Sequence, residues 1–158
     1  MILPAALQNR GFALAAVEEA DFEAYYAVKK ACYERYVDEC FGGWDEAVQL
    51  EMNARAFCEA QKNSCAQKIL LHGETVGFFS YDESCGQING VSIQMLERAR
   101  NQGVGSFYLE HITAKGKPIS LKVFQSNPAR ELYEKFGFAI YGETPSHYLM
   151  KKTGEQLI

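Results

Sequence analysis

The sequence predicts an α+β fold, a mixed central sheet with helices on both faces. Three observations carry this. Apolar residues recur at helical spacing through the first third of the chain. After position 67 the pattern switches to short, alternating, β-rich runs. In the last third, short helices interleave with strands, which calls for crossovers as well as hairpins.

The elements follow in order. Phe12 to Val17 is a short apolar run that reads as a strand. Asp21 is placed to cap the helix that follows, in which Phe22, Tyr25, Tyr26, Val28, Cys32, Tyr33 and Tyr36 keep helical spacing before Gly42-Gly43 ends it. A second helix spans Trp44 to Lys62, with Val48, Met52, Arg55 and Phe57 marking a face. Lys68 to His72 and Thr75 to Tyr81 form a hairpin around His72-Gly73-Glu74. Gln87 to Gln94 alternates as a further strand. A helix over Gly105 to Ala114, a strand over Pro118 to Phe124 and a helix over Asn127 to Phe136 come next. Strands at Phe138 to Tyr141 and His147 to Lys151 complete the order β-α-α-β-β-β-α-β-α-β-β.

Composition narrows the class. The 158 residues suit one domain over 1–158, and 47% hydrophobic with 23% charged residues is the balance of a globular chain. No apolar run reaches the ~20 residues that a bilayer span needs, so no membrane partner is expected. The N-terminus has no basic leader and reads as mature sequence, and the expected compartment is the cytoplasm. A net charge of −4 argues against a nucleic-acid partner. The five cysteines, Cys32, Cys40, Cys58, Cys65 and Cys85, form no CxxC pair. They read as reduced thiols, with neither a metal site nor a catalytic signature.

Two segments carry chemistry. Arg100-Asn101-Gln102-Gly103-Val104-Gly105 opens a helix. Glycines there admit close backbone approach, and free N–H groups at a helix start attract phosphate. A dinucleotide fingerprint would need a third glycine where Tyr108 stands, and no Gly-Lys-Ser/Thr is present. The second segment runs Asn127-Pro128-Ala129-Arg130-Glu131-Leu132-Tyr133-Glu134-Lys135-Phe136-Gly137-Phe138. Asn127 reads as N-cap, Pro128 as N1 and Gly137 as C′, with Ala129, Leu132 and Phe136 facing the core and Tyr133 at the stripe's edge.

Together these segments resemble the GNAT superfamily of acyl-CoA N-acyltransferases. The first is similar to its Gln/Arg-x-x-Gly-x-Gly/Ala loop, although Glu97 and Ala99 stand where the family commonly has a proline and an aromatic. The second is similar to its closing Asn-x-x-Ala-x-x-Leu-Tyr-x-x-x-Gly-Phe motif, with alanine here two positions after Asn127. Gly43-Trp44-Asp45-Glu46 and Glu143 to Met150 are similar to bacterial members of unassigned substrate. The resemblance implies splayed middle strands and acetyl-CoA as cosubstrate. It implies that Arg100, Asn101, Gln102, Gly103, Val104, Gly105 and Ser106 hold the pyrophosphate, that Ile93, Gln94 and Met95 line the pantetheine and thioester, and that Asn127 contacts the cofactor. Tyr133 would protonate the leaving thiolate after direct attack by an amine, with no metal.

A general base is left open between Glu83 and His147. Asp45, Glu46 and Glu51 suit an entrance that attracts a cation, but read first as a solvated helix face. The tyrosines of the first helix suit core packing, a substrate wall or a homodimer interface equally. The alternatives to an enzyme are an acyl-CoA sensor, which would not need Tyr133, and a purely structural module.

Overall fold

The computed structural model describes residues 1–155, so the last three positions of the expected domain lie outside the described residues. The strands are β1 (Phe12–Ala16), β2 (Gln67–Leu71), β3 (Glu74–Ser84), β4 (Gln87–Met95), β5 (Ile119–Phe124), β6 (Ala139–Glu143) and β7 (His147–Lys152). The helices are α1 (Ala5–Asn9), α2 (Phe22–Phe41), α3 (Glu46–Lys62), α4 (Val104–Thr113) and α5 (Ala129–Lys135). They build one seven-stranded sheet in the order β1-β2-β3-β4-β5-β7-β6. Every pairing is antiparallel except β4 with β5. The predicted order and the helices on both faces are as expected. The short helix α1 precedes them and has no counterpart in the sequence reading.

Strand alternation sorts the core into two layers. Phe79 points to one face and stacks on Tyr108 of α4, ring centroids 4.1 Å apart. Its neighbour Phe78 points to the other and meets Tyr25 of α2 edge-on at 5.1 Å. The first layer is large and joins α1, α4 and α5 to the sheet through Leu7, Val104, Leu109, Ile112 and Tyr133. The second is small: Tyr25, Val28, Phe57 and Phe78.

Three local expectations are corrected. Asp21 makes no capping bond to α2. It accepts from the Glu18 N–H and pairs with Lys68 at 3.0 Å, both side chains mostly buried, because a buried ammonium on β2 competes better for the carboxylate than solvated helix N–H groups do. The expected face of α3 is not its inner face: Val48 and Met52 are 51% and 58% exposed, and Phe57 alone of that set is buried. Asp45 caps α3 by accepting from the Val48 N–H. In α5, Pro128 occupies the N-cap position and Tyr133 faces the core, while Leu132 and Phe136 are half-buried against it. The helix starts one residue later than expected, and the expected stripe of Ala129, Leu132 and Phe136 packs on the core beside the more deeply buried Tyr133.

Candidate active site

The site begins where two strands part. β4 and β5 pair only at Ile88 and Ile119, with the Ile88 N–H donating to Pro118 O. Beyond that point both continue without a shared ladder, so a wedge opens between them. The pairing of β4 with β3 slips by one residue between Ser80–Ser92 and Asp82–Asn89, and Gly90, at φ +63°, supplies the bulge. After the bulge, Leu96 N–H donates to Val76 O on β3. Alternation therefore turns the backbones of Ser92 and Gln94 toward β3, and those of Ile93 and Met95 toward the wedge. Met95 O accepts there from Arg100 Nε at 2.7 Å and from Cys32 Sγ at 3.4 Å.

From the end of β4 the chain turns into α4. Asn101 and Gly103 hold φ of +60° and +99°, and Gly103 is the left-handed N-cap residue. The Val104, Gly105 and Ser106 N–H groups meet no acceptor among the described residues. Gly105 lies flush with α5: a Cβ there would stand 3.3 Å from Leu132 Cδ2. The turn is braced by the Gln102 side chain on Arg98 O, and from the N-terminal segment by Arg10 on Gln102 O at 2.9 Å.

On the far side of the wedge stands α5. Asn127 Oδ1 accepts from Ala129 N–H at 2.9 Å, which fixes the helix start and leaves its amide NH₂ without a partner among the described residues. Tyr133 is 5% exposed, with its ring edge-on to Phe138 at 5.9 Å. Burial pushes the phenol up to about 12. Its hydroxyl bonds no described residue.

The profile of the acetyltransferase (GNAT) family matches residues 29–138, well over half of the chain. The chain belongs to the GNAT family. It is an acyltransferase. Solved structures repeat the fold at low identity. The PaiA N-acetyltransferase of Thermoplasma acidophilum, in complex with coenzyme A, has 13% identity and a TM-score of 0.68, over 90% of this chain and 98% of that one. The ribosomal-protein-S18-alanine N-acetyltransferase of Escherichia coli has 20% identity and a TM-score of 0.61, over 93% and 99%. Arabidopsis thaliana Naa50, in complex with the bisubstrate analogue CoA-Ac-MVNAL, has 17% identity and a TM-score of 0.61, over 90% and 99%. A search of curated proteins finds no match.

In this GNAT domain the opposite face of the wedge, toward α2, is aromatic and polar. Gln94 is buried, and its side chain crosses to donate to Tyr33 OH at 2.7 Å and also meets Ser92 Oγ. Tyr33 reaches Phe124 on β5 at 5.7 Å, so it bridges the two parted strands. Phe124 also stacks on Tyr36, and His147 lies 4.1 Å from it on the other side. Burial, and then Lys122, lower the His147 imidazole below its ordinary value. Lys29, one turn before Tyr33, lies over the Tyr25 and Tyr33 rings, has no carboxylate within salt-bridge reach among the described residues, and is lowered to about 8 by burial.

Several of the residues singled out from sequence are occupied otherwise. Glu83 is bridged by both Lys115 and Lys117. Asp45 caps α3, Glu46 pairs with Lys30 and Tyr26, and Glu51 pairs with Arg55. Trp44 Nε1 donates to Tyr26 OH, closing a polar cluster at the α2–α3 junction. Of the helix tyrosines, Tyr25 and Tyr36 are buried within the chain. Among the described residues, no group of three His, Cys, Asp or Glu could hold a metal ion, and no helix is long and apolar enough to cross a membrane. Sequence reasoning missed Lys29 and Arg10 as parts of this region, whereas Tyr33 was among the helix tyrosines for which a substrate wall was one reading. Tyr33 carried a faint signal, one aromatic among several on a helix. Lys29 and Arg10 carried none, because their roles arise from contacts with distant strands and loops.

Proposed function

We propose that the protein is an N-acetyltransferase that moves an acetyl group from acetyl-CoA to a primary amine by direct attack. The observation that carries this reading is the wedge between β4 and β5, ending at unpaired α4 N–H groups. The pyrophosphate sits on the turn from Arg100 to Ser106, where N–H groups and the helix dipole offset its charge. The pantetheine adds to the free edge of β4, and the wedge-facing Ile93 N–H polarises the thioester carbonyl as an oxyanion hole does. The Asn127 amide is free to donate to the cofactor. The amine nitrogen forms its bond to the carbonyl carbon, the C–S bond breaks, and Tyr133 gives its proton to the thiolate. A phenol near 12 is a weaker acid than a free one. It is also protonated at every physiological pH, so Tyr133 adds no basic limb to the rate profile.

Acetyl-CoA should raise the melting temperature, and Gly103→Glu should abolish that shift by filling the turn and repelling phosphate. Thiol release over a broad amine panel, followed by product mass, identifies the acceptor. Acetyl-CoA binding with no turnover on any amine would leave the sensor reading in place of the enzyme.

A further inference from the structure

Within the transferase reading, one question is which group takes the proton of the incoming ammonium. Glu83, one of the two candidates left open by the sequence, is held by two lysines at the closed end of the wedge. The open end presents a row of side chains on the α2 face: Gln94, Tyr33, Phe124 and His147. Gln94 stands on β4 between the two residues whose backbones face the wedge. His147 is the β7 partner of Phe124, the last residue of β5, so both side chains share that face. We infer that His147 is the general base that accepts the ammonium proton, directly or through one water.

Local structure prepares the ring for this. The Thr144 hydroxyl accepts the Ser146 and His147 N–H groups and ties the β6–β7 turn. Ser146 Oγ engages His147 Nδ1 at 2.6 Å, and Phe124 covers one ring face. Nε2 has no partner among the described residues. The charged groups around the ring do not hold a proton on it. Lys122 on β5 disfavours the imidazolium. On α2, Glu39 meets Ser126 Oγ and Arg35 lies on the Tyr36 ring. No carboxylate pairs with the ring among the described residues.

The step balances. The ammonium gives one proton to His147 Nε2, and the freed lone pair attacks the thioester carbon. The tetrahedral adduct expels the thiolate, which takes the Tyr133 proton. The N-protonated product amide returns a proton to the Tyr133 phenolate, and the imidazolium releases its own to solvent. The sum is one acetamide, one free thiol and one proton.

The test uses His147→Asn, which keeps a partner for Ser146 but has no basic nitrogen. Two acceptors are compared: the best alkylamine of the panel, protonated at pH 7, and hydroxylamine, already neutral there. Rates are taken above the uncatalysed background. With the alkylamine, kcat/KM at pH 7 falls about 10²-fold and the wild-type acid limb, set below the ordinary histidine value, disappears. With hydroxylamine the loss stays within about threefold of wild type. The melting-temperature shift with acetyl-CoA is unchanged. Equal losses with both nucleophiles, or an acid limb that survives in the variant, overturn the assignment while leaving the transferase intact. Absence of turnover in the wild type with every nucleophile sinks the transferase reading itself.

Discussion

The two faces of the sheet are built differently. The face carrying α1, α4 and α5 rests on a continuous apolar core, in which Leu109, Ile112 and Tyr108 of α4 have no exposed surface. The face carrying α2 and α3 rests on a small cluster of four buried residues, with Tyr36 and Val37 buried apart from it, and otherwise on polar and aromatic contacts: Gln94 with Tyr33, Lys68 with Asp21, and Trp44 with Tyr26. The first face bears the features that suit an invariant cofactor. The second bears those that suit an acceptor, which has to be matched by particular polar groups. On the proposed function, the apolar half would hold the cofactor while the polar half would set which acceptor approaches it.

The largest expected difference between the faces is in stability. Leu109→Ala should cost about 3 kcal/mol, the sum of lost transfer energy and the cavity left in a packed core. Met52→Ala on exposed α3 should stay within about 0.5 kcal/mol. Chemical denaturation of both variants checks the contrast, and a comparable loss for Met52 would mean that its face is covered in solution.

Next in size is the chemical step. Tyr133→Phe keeps the ring against Phe138 and removes only the proton donor. Turnover should fall by about 10²-fold or more, a barrier increase of about 2.7 kcal/mol, with acetyl-CoA affinity little changed. Steady-state thiol release and a binding isotherm measure the two quantities. Near-wild-type turnover with chemistry rate-limiting would return Tyr133 to a packing role.

The smallest effect sharpens the view of the polar face. Lys29 is held to about 8 by burial, while the unfolded chain keeps its amine at the ordinary 10.5. The unfolded state therefore binds more protons between those values, and wild-type stability rises with pH across that window. Lys29→Met should stabilise the fold by about 1–2 kcal/mol at pH 7, an advantage present below about 8 and gone by about 10.5. Melting curves of both proteins at pH 7, 9 and 10.5 follow it. A gain independent of pH would assign the effect to packing.

Legibility in the sequence divides along similar lines. The hairpin around His72-Gly73, the glycine turn and α5 are encoded within a dozen residues each, by turn chemistry and caps, and were readable as such. The second tight turn, at Cys85-Gly86, was not anticipated, because cysteine gives no turn signal, yet both residues hold positive φ. The end of α2 at Gly42-Gly43 was legible although Val37 to Phe41 lack periodic spacing, and Gly42 adopts the left-handed conformation there. On α3 the helix itself was legible and its inner face was not, because a mostly exposed helix leaves little hydrophobic pattern to read.

By itself the sequence determined the order of the elements, the family, and the two short motifs at the wedge, because caps, glycines and alternation act over neighbouring positions. Only the tertiary structure decided which groups meet around that wedge. The parting of β4 from β5 after one paired position, the bulge at Gly90 that turns Ile93 and Met95 to the gap, and the row from Gln94 through Tyr33 and Phe124 to His147 join residues up to 114 positions apart, from Tyr33 to His147. Such contacts depend on strand register and helix docking. Those are set by how the whole core closes, and no local pattern encodes them.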